Sequence, residues 1–194
     1  GKSAKVTTKN AIAVRDLAIH KGANSITINN SKDNTVYARI ITSGILPLGE
    51  ELAESRGFDV SVHYEDKDGN AIAVNELAQG TTIITSVTIT NLKYEYVRDI
   101  ALTQTFPSGW EIINTRFTDY GSSASQNNSV DYTDIRDDRV HYYFDLGNKK
   151  SKTFKIQLNA SYLGKYYLSG IQAEAMYDND FFVRTKGQWV NVVK

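Results

Sequence analysis

Alternation with a period of two is the feature of this chain that most restricts its fold. In Phe58-Asp59-Val60-Ser61-Val62-His63-Tyr64 every second side chain is apolar or aromatic, so Phe58, Val60, Val62 and Tyr64 share one face of an extended strand. Val140-His141-Tyr142-Tyr143-Phe144-Asp145-Leu146 and Phe154-Lys155-Ile156-Gln157-Leu158 repeat the pattern. Residues 83–90 are β-branched almost throughout, as buried or half-buried strands are. Trp189-Val190-Asn191-Val192-Val193 reads as a final strand, and residues 25–29 and 35–41 as an earlier pair around a polar turn. Helical signals are confined to single turns at residues 48–55 and 71–79. Asp68-Gly69-Asn70 marks a hairpin turn, Pro107-Ser108-Gly109 a break, and residues 147–150 a short link that suits a hairpin. Strands punctuated this way, about ten residues apart, predict an all-β chain built as an immunoglobulin-like β-sandwich.

The stretch Gly44-Ile45-Leu46-Pro47-Leu48-Gly49-Glu50-Glu51 departs from alternation and carries one of only two prolines. It reads as the linker between a small N-terminal β unit, residues 1–50, and a larger domain, residues 51–194. The first part holds fewer strands than the roughly seven of a sandwich. Residues 119–134 contain almost nothing apolar and read as a long exposed loop. A first residue of Gly rather than Met suggests a piece of a longer protein.

The chemistry that these residues allow is narrow. There is no Cys, which excludes disulfides, thiolate catalysis and cysteine-bound zinc. Lys plus Arg equals Asp plus Glu at 22 each, so no bulk field draws the chain to nucleic acid or an anionic membrane. No apolar run approaches the roughly 20 residues of a membrane span. His20, His63 and His141 fall in three separate elements, the latter two on solvent-facing strand positions. Counting an EF-hand loop from Asp66 puts Ala71 where Gly is required and Leu77 where Glu is required, so 65–70 reads as a polar hairpin tip. Asp134, Asp137 and Asp138 are neutralised by Arg136 and Arg139. Nucleophile-elbow, phosphate-loop and zinc-protease motifs are all missing. The residues therefore point away from an enzyme and from any metal or cofactor. Tyr94, Tyr96, Tyr142, Tyr143, Tyr166 and Tyr167 leave open a surface-exposed immunoglobulin-like module that binds glycan or protein through its tyrosines and the loop at residues 119–134.

The last third carries a more specific pattern. Asp138-Arg139-Val140 opens a strand ending Phe144-Asp145-Leu146. A link and a strand at 152–160 follow, then Gly164-Lys165-Tyr166-Tyr167-Leu168 and Gln172-Ala173-Glu174-Ala175-Met176-Tyr177-Asp178. This resembles the C-terminal macroglobulin-like domain of bacterial alpha-2-macroglobulins, the counterpart of the receptor-binding domain in the animal proteins. Gln104-Thr105-Phe106-Pro107-Ser108-Gly109-Trp110 fits the same domain, and residues 37–51 resemble the returning half of the family's CUB-like domain. Asn179 and Leu163 stand where the family often has proline. The resemblance implies a non-catalytic part of a broad-spectrum protease trap. In such a trap, target proteases cleave a bait region and are then acylated by a buried thioester. It places the parent in the cell envelope, periplasmic or surface-exposed and lipid-anchored. The family's Cys-x-Glu-Gln thioester motif and its bait region do not occur in this sequence. The implied partner is the thioester domain of the same parent chain. Met176 and Tyr177 are the implied thioester-shielding residues, with Asp178 ordering their loop.

Overall fold

The computed structural model describes residues 12–14, 16, 25–30, 33, 35–41, 43–113 and 132–194. The chain divides into two compact units, Gly1–Ser43 and Gly44–Lys194. In the first, the strand pair expected at 25–29 and 35–41 is not formed, and Ile26, Ile28, Val36, Ile40 and Ile41 are exposed. Among the described residues nothing covers these positions, and two short strands alone bury too little apolar surface to hold a ladder.

In the second unit the described residues form β1 (Glu54–Arg56), β2 (Phe58–Glu65), β3 (Glu76–Ala78), β4 (Thr82–Asn91), β5 (Val97–Thr105), β6 (Trp110–Ile112) and β7 (Tyr132–Ile135). There follow β8 (Arg139–Leu146), β9 (Ser151–Ala160), β10 (Gly164–Leu168), β11 (Gln172–Ala175), β12 (Asp178–Arg184) and β13 (Gln188–Val193). No helix occurs among them. The single turns expected at 48–55 and 71–79 instead lead into β1 and contain β3. Both segments are too short to nucleate a helix against strand partners already in place.

One sheet has six strands in the order β1-β12-β11-β5-β8-β7, and a second has four in the order β2-β4-β9-β6. A three-stranded ribbon, β10-β13-β3, completes the unit. Alternation now has its cause. Ile100, Leu102, Tyr142 and Phe144 face inward from the six-stranded sheet, and Ile83, Val87, Ile89, Phe154 and Ile156 from the four-stranded one. Aromatic rings bridge the layers: Tyr142 and Phe144 lie 4.6 and 4.7 Å from Phe154, and Phe58 lies 5.2 Å from Phe181.

Gly57 is the corner at which the chain leaves the six-stranded sheet (β1) for the four-stranded one (β2). Its φ is +64°, and a Cβ there would meet the Phe181 ring at 2.6 Å and the Asp180 carbonyl at 2.8 Å. Only Gly fits such an approach. Just upstream, residues 47–52 lie on the ribbon. The Gly49 N–H donates to the Tyr167 hydroxyl at 3.0 Å, and that hydroxyl donates in turn to Glu51.

The link at residues 147–150 is a correction to the sequence expectation. It is not a hairpin, because β8 and β9 lie in different sheets, and the link arches between layers with Lys149 at φ +54°. Each strand has one apolar face, and either connection satisfies that pattern. The link at 92–96 makes a second arch beside it. Asn91, with no exposed surface, joins the two: its amide donates to the Glu95 carbonyl at 2.7 Å and the Gly147 carbonyl at 3.1 Å, and its oxygen accepts the Lys93 N–H at 2.8 Å.

Gln104 is equally buried, yet among the described residues neither end of its amide finds a partner. The two buried amides should therefore respond in opposite directions. Asn91→Ala orphans three main-chain groups and should lower unfolding free energy by about 3 kcal/mol. Gln104→Leu removes unpaired polar atoms at similar volume and should raise it by about 1 kcal/mol. Urea titrations of the two variants measure both.

Candidate functional site

The register pairs Ala175 with Asp178, so Met176-Tyr177 is the two-residue loop of the β11–β12 hairpin. Two-residue loops usually take turns with positive φ, which match strand twist. Neither Met176 nor Tyr177 has a positive φ. The misfit is absorbed in the ladder: Glu174 pairs with Phe182 although Ala175 pairs with Asp178, so residues 179–181 bulge out of β12. The bulge turns Phe181 into the core against Phe58. Asp178 serves the bulge directly, its carboxylate accepting the Asp180 N–H at 3.0 Å.

The two loop residues are bare. Met176 is 46% exposed and Tyr177 87%. What holds them is main chain: the Met176 N–H donates to the Asp99 carbonyl at 3.0 Å. Asp99 lies in a second bulge. Val97 pairs with Leu146 and Ile100 with Phe144, so Arg98 and Asp99 together oppose Asp145. Asp99 sits at φ +53°, a left-handed conformation that Asp tolerates better than most residues. Its N–H donates to Asp145 Oδ1 at 2.9 Å, and the Tyr96 hydroxyl donates to Asp145 Oδ2 at 3.1 Å. Tyr94, 83% exposed, is on the 92–96 arch at this end, with Lys149 Nζ 4.6 Å from its ring centre. The hairpin therefore presents an exposed, largely apolar tip on a backbone fixed by hydrogen bonding.

The other sequence candidates do not converge here. Of the six tyrosines, Tyr94 and Tyr96 are at this end and Tyr142 is in the core. Tyr143 is on the outer face of the six-stranded sheet beside Tyr132, and Tyr166 and Tyr167 are on the ribbon. His63 is exposed, as its strand position required, and His141 Nδ1 lies 3.0 Å from Thr103 Oγ1. His20 lies outside the described residues, as do residues 119–131, while 132–134 belong to β7. Asp66 closes its hairpin by accepting the N–H groups of Asp68 and Asn70 at 2.8 and 2.9 Å. Asp134 pairs with Arg136, and Asp138 with Arg139. Among the described residues no three His, Asp or Glu side chains come together as a metal site.

Shifted titrations lie away from the hairpin and have local causes. The Tyr167 hydroxyl draws the Glu51 carboxyl below the usual range. Ser161 and Tyr162 do the same for Glu111. The Asn70 side chain does so for Asp66, and Arg139 for Asp138. Burial pushes the Tyr64 and Tyr142 phenols up to about 12.

Asp99 and Asp145 were not legible as candidate site residues, and Tyr96 only as one of six tyrosines of a candidate binding surface. The sole trace is the skip in alternation, where Val97 and Ile100 are both buried three positions apart.

Fold and site define an immunoglobulin-like β-sandwich that offers an exposed apolar hairpin at one end. The family model for the bacterial alpha-2-macroglobulin MG10 domain matches residues 57–180, more than half of the chain. The chain belongs to the bacterial alpha-2-macroglobulin family. An alpha-2-macroglobulin of Pasteurella multocida (strain Pm70) is 30% identical over 153 residues, which is 78% of this chain and 8% of that protein. A glycine-for-tyrosine mutant of Salmonella alpha-2-macroglobulin matches with a TM-score of 0.66 at 20% identity, over 74% of this chain and 10% of that one. Native E. coli alpha-2-macroglobulin matches with a TM-score of 0.67 at 16% identity, over 77% and 10%. At these identities the structural likeness establishes the fold. The chain thus spans about a tenth or less of the proteins it matches.

If Met176 and Tyr177 were a plug for this sandwich, truncating them would unfold it. Their exposure predicts otherwise: the double variant Met176→Ala, Tyr177→Ala should keep its unfolding free energy within about 0.5 kcal/mol of the parent sequence. Urea denaturation of the 194-residue chain checks this.

Proposed function

We propose that this chain is a non-catalytic, C-terminal part of a bacterial alpha-2-macroglobulin-type protease trap, and that its Met176–Tyr177 tip covers the thioester of a neighbouring domain in the same parent. The parent is placed in the cell envelope, where target proteases would meet it. The observation that carries this reading is an apolar two-residue tip, 46% and 87% exposed, held by main-chain bonding in a domain of this family. Water or an amine attacks a thioester carbonyl and expels the cysteine thiol. The bond therefore lasts only where solvent is kept away. A polarizable Met and a broad Tyr ring suit that task, because they adapt to the surface that they cover. Asp178 holds the start of β12 and so the far side of the tip.

The test uses the intact parent, its thiol release followed in methylamine. Tyr177→Ala, alone or with Met176→Ala, should speed release about tenfold or more. An unchanged rate would refute the shielding role, and so would a parent gene without a Cys-x-Glu-Gln motif upstream.

A further inference from the structure

We infer that Asp145 is the positioning residue for the Met176–Tyr177 tip, acting through the β5 bulge. Its effect on thioester protection rests on the function proposed above, but its effect on the hairpin does not. The chain of contacts is continuous. Asp145 Oδ1 accepts the Asp99 N–H at 2.9 Å, and Asp145 Oδ2 accepts the Tyr96 hydroxyl at 3.1 Å. Both oxygens are therefore engaged at the residue that faces the two residues of the bulge. The Asp99 carbonyl then accepts the Met176 N–H at 3.0 Å.

The order of cause runs from Asp145 outward. A bulge residue is out of the ladder, so its N–H turns to a side chain or to water, and here a carboxylate takes it. With Asp145 supplying it, Asp99 is kept at φ +53°. Rotation of Asp99 back toward the extended region would swing its carbonyl off the Met176 N–H. The hairpin would then lose the main-chain bond at the first residue of its loop. Asp145 is itself well placed to act as a fixed point. Its own carbonyl accepts Lys152 Nζ at 3.3 Å, and that buried ammonium, from the opposite sheet, also lies 5.1 Å from the Phe144 ring centre. Asp145 is thus tied to both layers, and the tip is set by the sandwich rather than by its own turn.

Amide hydrogen exchange on the 194-residue chain tests this directly. In Asp145→Ala the Met176 and Asp99 amides should exchange about tenfold faster, while Val87 and Ile89, in the centre of the β4 ladders, keep their rates. Asp145→Asn keeps an oxygen for the Asp99 N–H and should restore slow exchange at Met176. Unchanged Met176 exchange in Asp145→Ala, acceleration equal to that of Val87, or no recovery in Asp145→Asn would each overturn the inference. If Asp145→Ala does not fold, Tyr96→Phe removes one of the two bonds to the same carboxylate. It must then speed Met176 exchange about twofold relative to Val87 for the inference to stand.

In the intact parent, Asp145→Ala should raise methylamine reactivity, and Asp145→Ala with Tyr177→Ala should be no faster than Tyr177→Ala alone. A raised Tyr177→Ala rate beside an unchanged Asp145→Ala rate would remove the functional role of Asp145. An unchanged Tyr177→Ala rate would instead remove the shield, leaving the exchange result to decide the positioning.

Discussion

The buried amide of Asn91 is the interaction on which the sandwich closes. Two sheets with complementary apolar faces still need a chain that passes between them, and each passage exposes main-chain polar groups where no ladder can take them. Here both adjacent passages, at 92–96 and 147–150, meet at one side chain that satisfies a group from each. Alternation supplies the energy of packing through rings such as Phe154 and Phe58. Asn91 fixes where the layers join, and so which loops end up side by side.

That end is also where the exposed hairpin projects. The proximity follows from topology, because β11 pairs with β5 and β5 begins at the end of the 92–96 arch. Two irregularities of opposite kind shape the tip. The β12 bulge lets a turn without positive φ close the hairpin, and the β5 bulge supplies the carbonyl that anchors it. An exposed apolar pair is therefore held in one place by the main chain around it.

Much of the sandwich was legible from one strand at a time. Phe58 to Tyr64, residues 83–90 and Val140 to Leu146 each announce a buried face by period alone. Which strand pairs with which was not, because a hairpin and an arch need the same alternation on either side. That is why the link after Leu146 suits a hairpin by sequence and is an arch in the fold. Residues 25–29 and 35–41 show the complementary failure: their pattern is strand-like, but pattern alone does not supply the covering layer. At the candidate site, Met176 and Tyr177 were singled out by resemblance alone, and the motif that carries it spans the hairpin. Asp145 was not, because an acidic residue at an outward strand position looks like any solvated one. Its role comes from lying opposite Arg98 and Asp99, a relation between distant parts of the chain.

The Gly57 corner has a mechanical consequence. Just before it, β1 is laddered to β12 through Glu54, Ser55 and Arg56, and Arg184 of β12 also reaches back to the Leu52 carbonyl at 3.1 Å. Just after it, β2 is laddered to β4. A tug on the incoming polypeptide is thus shared at once between both layers. Part of it falls on β12 at Phe182–Arg184, beyond the bulge from the tip, so the entrance is braced by two sheets before any load reaches the hairpin.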